Sequence, residues 1–131
     1  MESTVRVLVV GGVLNLAWGY VTGFVLSAVR TRVAEASKYL TLAHVGPLMW
    51  GPILLGLAVA APLSRTGHEL LAAWLLVAAS AVLDVKDTLN WLAGVADEFV
   101  ERPVGFWLGG VSAALGSAGL AILTVGVLRG G

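Results

Sequence analysis

YLTLAHVGPLMWGPILLGLAVA, residues 39–60, is the stretch whose reading decides the fold. It is apolar over a length that matches a membrane-crossing helix, which needs ~20 such residues. A transmembrane barrel strand is about half as long and alternates in polarity, so a helix is the element this stretch predicts. His44, Pro47 and Trp50 interrupt it. An imidazole and a proline thus stand a turn or two inside a helix surrounded by hydrocarbon, where an unpaired polar group costs several kcal/mol. The rest of the sequence has to say what these residues do there.

Composition points the same way. The chain has 131 residues, of which 58% are hydrophobic and 12% charged, against roughly a quarter charged in ordinary soluble domains. Eight basic residues balance eight acidic ones, so nothing in the charge favours a nucleic-acid partner. Cysteine is absent, which removes disulfides, thiolate metal sites and cysteine catalysis together. The N-terminal MESTVRVLVVGGVLNLAWG has no small-x-small cleavage site after a short apolar core, so it is expected to be retained. The expected location is an integral position in the bacterial cytoplasmic membrane, with the lipid bilayer as solvent.

Four apolar runs can be drawn, about Thr4–Val29, Tyr39–Leu63, Glu69–Val95 and Pro103–Leu128, separated by the polar segments RTRVAEASK, SRTGH and ADEFVERP. Short connections place successive helices antiparallel. The predicted fold is therefore all-α: a single domain over residues 1–131, forming a four-helix up-down bundle in the membrane. Small residues mark close-packing stripes: Gly11, Gly12, Gly19 and Gly23 in the first run, and Gly105, Gly109, Ala113 and Ser117 in the last. The last run has almost no polar side chains and reads as scaffold or subunit interface. Four helices of this size enclose little interior, which favours a homo-oligomer. The basic residues divide almost evenly between the two ends, so they barely bias orientation.

Ionisable residues inside a membrane usually face a bundle interior or a cavity. Here they are His44 and, in VLDVKDTLNWLAG, Asp84, Lys86 and Asp87, with Asn15, Asn90 and Tyr20 as uncharged company. Asp84, Asp87 and Trp91 share a helical face, and Lys86 and Asn90 lie four apart on another stripe. At ~1.5 Å rise per residue, His44 and the polar end of the third run fall in the same half of the membrane. Trp50 and Trp91 could wall a pocket near His44 and Asn90. Each residue has a plainer reading beside the functional one. A buried histidine more often satisfies a hydrogen bond than binds a ligand, the charged trio could neutralise itself, Pro47 could only kink its helix, and tryptophans anchor at interfaces.

Two histidines and no cysteine make a protein-only metal site thin. His68 lies in a polar loop with Arg65 and Glu69 and reads as solvated. One histidine can still hold a cofactor that brings its own ligands, and haem is the candidate, since one axial imidazole leaves the opposite iron face open. Its propionates would need cations, and Arg30, Arg32, Lys38 and Arg102 lie at the membrane surface nearest His44.

AHVGPLMWG, residues 43–51, resembles the A-H-x-G-P-x-x-N-G motif on the second helix of styrene oxide isomerase, a small four-helix membrane protein related to hydroxylaminobenzene mutase. GGVLNLAWGYVTGF and GPILLGLAVA fit the same pattern, and TLNWLAG, residues 88–94, is similar to the N-W-L-A segment of the mutase branch. The resemblance implies a homotrimer that binds haem b, with His44 as axial ligand. It also implies ferric iron acting as a Lewis acid on a hydrophobic substrate such as an aryl epoxide, opening it to a carbonyl compound in a Meinwald rearrangement. Two departures matter. Trp50 stands where the isomerase has an asparagine, and no tyrosine is found in DVKD, where the family places one on helix three. Asp84, Asp87, Asn90 and Trp50 are the candidates for the polar and stacking contacts that would replace them. Competing readings are a small proton-coupled multidrug exporter using Asp84 or Asp87, a haem-binding membrane protein without isomerase activity, and a structural subunit of a larger complex.

Overall fold

In a computed structural model, which describes residues 1–130, the chain is helical throughout, with no strand among the described residues. Four long helices, α1 (Glu2–Arg30), α2 (Lys38–Ala60), α3 (Glu69–Leu92) and α5 (Val104–Gly130), account for most of it, with a four-residue α4 (Glu98–Glu101) between the last two. A 3-10 turn, Ala61–Leu63, prolongs α2. Three of the four long helices are long and apolar enough to cross a membrane: α1, α2 with its 3-10 turn, and α5. α3 has the length but not the composition, because Glu69, Asp84, Lys86 and Asp87 all lie in it. The other differences from the sequence reading are local. The third helix ends at Leu92, where Gly94 takes a left-handed backbone (φ 66°), and the polar ADEFVERP segment contains α4. Asp97 starts that turn by accepting a hydrogen bond from Phe99 N (2.9 Å), and Arg102 ends it in the left-handed region (φ 49°).

Caps at the polar turns explain where the helices begin. Ser37 accepts from Tyr39 N (3.2 Å) at the start of α2. At the start of α3, Glu69 Oε1 accepts from Thr66 N (2.6 Å) and Gly67 N (3.1 Å). The Thr66 hydroxyl donates to the same oxygen (3.2 Å), so several donors gather on one carboxylate. The charged carboxylate thereby ties the turn between α2 and α3.

α1 packs chiefly on α2 and α3 on α5, with lesser contacts of α3 to α1 and α2 joining the two pairs. Glycines set both main seams. A methyl group on Gly12 would meet Leu55 Cγ at 2.8 Å and Gly51 O at 3.0 Å, and one on Gly119 would meet Ala72 O of α3 at 2.9 Å. Such approach replaces the hydrophobic drive that lipid removes. Gly105 and Gly109 of the small-residue stripe face α3 of the same chain, whereas Ala113 and Ser117 are exposed, and Ser112, Gly116 and Gly119 continue the seam in their place. Leu8, Leu54, Leu76 and Leu123, one from each long helix, meet in the apolar core. Phe24 (76% exposed), Val59 (79%) and Leu128 (77%) point outwards, the inverse of a water-soluble surface.

Pro47 and Pro52 lie inside α2 without ending it. A proline lacks the N–H that would bond the carbonyl four residues earlier, so Pro47 frees Ala43 O. The neighbouring helix answers this, because Thr22 Oγ1 on α1 donates to Ala43 O at 2.9 Å, with Trp18 O at 2.9 Å as its alternative acceptor. The orphaned carbonyl therefore becomes an interhelical contact. Thr22→Val should lower stability by about 1 kcal/mol, and most of that loss should vanish in a Pro47→Ala background, where the helix satisfies Ala43 O itself. Denaturation of the four proteins of that cycle in detergent measures the coupling.

Candidate functional site

His44 sits one turn before Pro47 on the face of α2 that meets α1. Gly19 and Gly23 of α1 form a notch for it. A methyl group on Gly23 would lie 2.7 Å from His44 Cε1, and Nδ1 is 2.7 Å from Gly19 O. A carbonyl only accepts, so Nδ1 carries a proton, and in the neutral imidazole Nε2 carries the lone pair. Nε2 has no hydrogen-bond partner among the described residues and is not sealed in the interior. A histidine oriented by a carbonyl through one nitrogen, with the other free, is the arrangement in which imidazole ligates a metal. No group of three His, Cys, Asp or Glu able to hold a metal ion by itself occurs among the described residues. One oriented imidazole could give a single ligand to a metal that brings its others, and the same bond to Gly19 O also satisfies the ring with no metal, the plainer role that the sequence allows.

Arg30 ends α1, Arg32 and Lys38 flank the first connection, and Arg102 caps α4. All four are exposed, and none is in an ion pair among the described residues. Lys38 Nζ lies over the ring of Tyr39, 5.0 Å from its centre. From Lys38 to His44 is roughly 9 Å along the helix at 1.5 Å per residue, so anionic groups of a ligand on Nε2 could reach this basic end.

The remaining predicted site residues go elsewhere. Lys86, Asp87 and Asn90 are buried at the end of the helices that α4 covers. Lys86 Nζ donates to Glu98 Oε1 (2.9 Å) and lies 3.2 Å from Asp87 Oδ1, while Asn90 Nδ2 donates to Glu98 Oε2 (2.8 Å). Tyr39 Oη accepts from Glu98 N at 2.9 Å. Gly105 leaves the room this needs, since a side chain there would overlap Asn90. Asp87 also reaches α2, 4.0 Å from a methyl group placed on Gly46, but the His44 ring turns the other way, to α1. Trp50 lines a groove with Leu83 of α3 and Gly109, Ser112 and Gly116 of α5. Asp84 lines another groove, between α1 and α3. Within one chain, then, His44, Trp50, Asp84 and the Asp87–Asn90 pair occupy four separate places.

Glu98 and Tyr39 are the polar residues that the sequence reading missed. Glu98 stands twelve positions after Lys86 in a segment that reads as a solvated loop, and only the Asp97 cap, which starts a helical turn there, hints that it folds back. Comparison with family models, with curated proteins and with solved structures finds no match to this chain.

Breaking a buried ion pair from one side costs about 3–5 kcal/mol, whereas replacing both partners by apolar groups is often close to neutral. Glu98→Gln is accordingly expected to lower stability by about 3 kcal/mol, and the Lys86→Met, Glu98→Leu double variant not to recover it, because Asp87 and Asn90 are then left buried without their partners. Thermal and denaturant unfolding in detergent would check both outcomes.

Proposed function

We propose that the protein is a haem-b-dependent membrane isomerase that opens a hydrophobic epoxide and rearranges it to a carbonyl compound. The observation that supports this is the seating of His44, held by Gly19 O through Nδ1 with Nε2 left free. His44 would hold the iron, with the Gly19 carbonyl fixing the plane of its ring. Arg30, Arg32, Lys38 and Arg102 would pair with the propionates at the membrane surface. When bound, ferric haem supplies a Lewis acid that polarises an epoxide oxygen. The apolar bilayer and subunit surfaces facing the opposite side of the iron would exclude the water that otherwise traps the opening ring as a diol, and a substrate such as an aryl epoxide enters from the lipid.

In this reading all four long helices cross the bacterial cytoplasmic membrane as an up-down bundle. α3 is tolerated there because Lys86 is neutralised by Asp87 and Glu98. The α1–α2 face around Nε2 is open in one chain, so copies of the chain, three by the family resemblance, enclose the porphyrin between them. Asp87 and Asn90 then serve to fasten α4 over the helix ends, and any contact of Asp84 or Trp50 with the substrate comes across the subunit boundary.

Protein purified in detergent from haem-replete cells should be red-brown with a Soret band and should convert styrene oxide to phenylacetaldehyde. His44→Ala should lose the band and at least 100-fold in rate, the scale of a lost polarising contact. A colourless wild-type protein would overturn the reading. Haem content with intact epoxide would leave the cofactor and remove the reaction.

A further inference from the structure

A groove of about 460 Å³ runs between α1 and α3, walled by Leu14, Trp18, Val77, Val85 and Leu89, with Asn15 and Asp84 as its polar members. Asn15 is 5% exposed. Its Nδ2 donates to Gly11 O (2.9 Å) and to Ser80 Oγ (3.0 Å). The Ser80 proton is already directed to Val77 O (2.9 Å), so both partners of Nδ2 act as acceptors and the amide has one orientation. Its Oδ1 is buried with no hydrogen-bond partner, and so is Asp84 Oδ1. Neither oxygen accepts a hydrogen bond from the wall. Thr88 Oγ1 donates to the Asp84 backbone carbonyl (2.8 Å), and Lys86, two residues from Asp84, is held by Asp87 and Glu98 on the other side of α3.

Buried polar atoms are nearly always paired, and an acceptor left without a donor is destabilising. Two such acceptors in one apolar groove ask for a ligand that brings N–H donors, and the carboxylate asks for positive charge. We propose that this groove binds a small amphipathic organic cation, a primary ammonium on an aryl or alkyl body. The ammonium donates to Asp84 and Asn15 Oδ1, the body lies along Leu14, Val77, Val85 and Leu89, and the Trp18 indole supplies a ring face over which a cation is favourably placed. The volume is within the range of small-molecule sites. The groove is separate from the notch that holds His44, and the proposal rests on neither haem nor epoxide chemistry.

The test is equilibrium dialysis of the full-length protein in detergent with 4-phenylbutylammonium and, as its neutral counterpart, 4-phenylbutanol. Wild-type protein should bind the ammonium saturably and at least tenfold more tightly than the alcohol. Asp84→Asn, which keeps the shape, should abolish that preference with little change in uptake of the alcohol, and Trp18→Leu should weaken the ammonium several-fold. His44→Ala should bind as wild type does, which separates this result from failure of the haem reading. Equal uptake of the two probes, or an Asp84→Asn variant that binds the ammonium as wild type does, would overturn the proposal and leave an apolar crevice filled by lipid or by a second copy.

Discussion

Two bare glycines on α1 let α2 come close enough for His44 to lay its ring against the neighbouring backbone and give its Nδ1 proton to Gly19 O. Much else in the molecule is arranged around that approach. A turn later in the same seam, Pro47 frees the Ala43 carbonyl, and Thr22 of α1 takes it up. The two contacts run in opposite directions across the seam, one from α2 to α1 and one from α1 to α2, so they fix the register of the helices as well as their distance. In lipid, where burial of apolar surface does not drive helices together, such contacts and the close packing between them are what remains. The ring that results cannot turn without losing its hydrogen bond, and its second nitrogen is presented without a partner.

The other polar side chains follow a second logic. Charge placed inside an apolar helix has to be neutralised nearby or given a purpose. Lys86 is neutralised: Asp87 and the returning Glu98 hold it, Asn90 and Tyr39 hold Glu98, and α4 is thereby pinned over the ends of α2 and α3. Asp84 is not. One turn before this network, it looks into a groove whose other polar member, Asn15, also has an oxygen without a donor. What differs within four residues of one helix is the cation: Lys86 lies beside Asp87, and no cation lies beside Asp84 among the described residues.

Much of the helical architecture was legible in the sequence, because apolar run length and polar punctuation are direct consequences of the solvent. The polar residues were harder. The stripe of Lys86 and Asn90 could be read from their spacing, and both do reach Glu98, but Glu98 itself lies outside the helix and its return depends on a four-residue turn that no periodicity announces. His44 and Pro47 stood out because nothing apolar explains them. That His44 turns to α1, away from Asp87 and Trp50, depends on which side of α2 the glycines of α1 occupy, a tertiary fact with no local trace. The expectation of one shared pocket came from depth alone, which places residues at a level in the membrane but not around the helix axis.

The presentation of an unprotonated Nε2 by a fixed imidazole is the point on which the functional account turns, and nitrogen NMR reads it directly. Protein purified without added haem and labelled with 15N at histidine, with His68→Gln to leave a single signal pair, should show, for the neutral ring, a protonated Nδ1 and a far-downfield, unprotonated Nε2. A protonated Nε2 with a bare Nδ1, or rapid averaging of the two, would mean that the Gly19 carbonyl does not hold the ring and that no ligand nitrogen is offered.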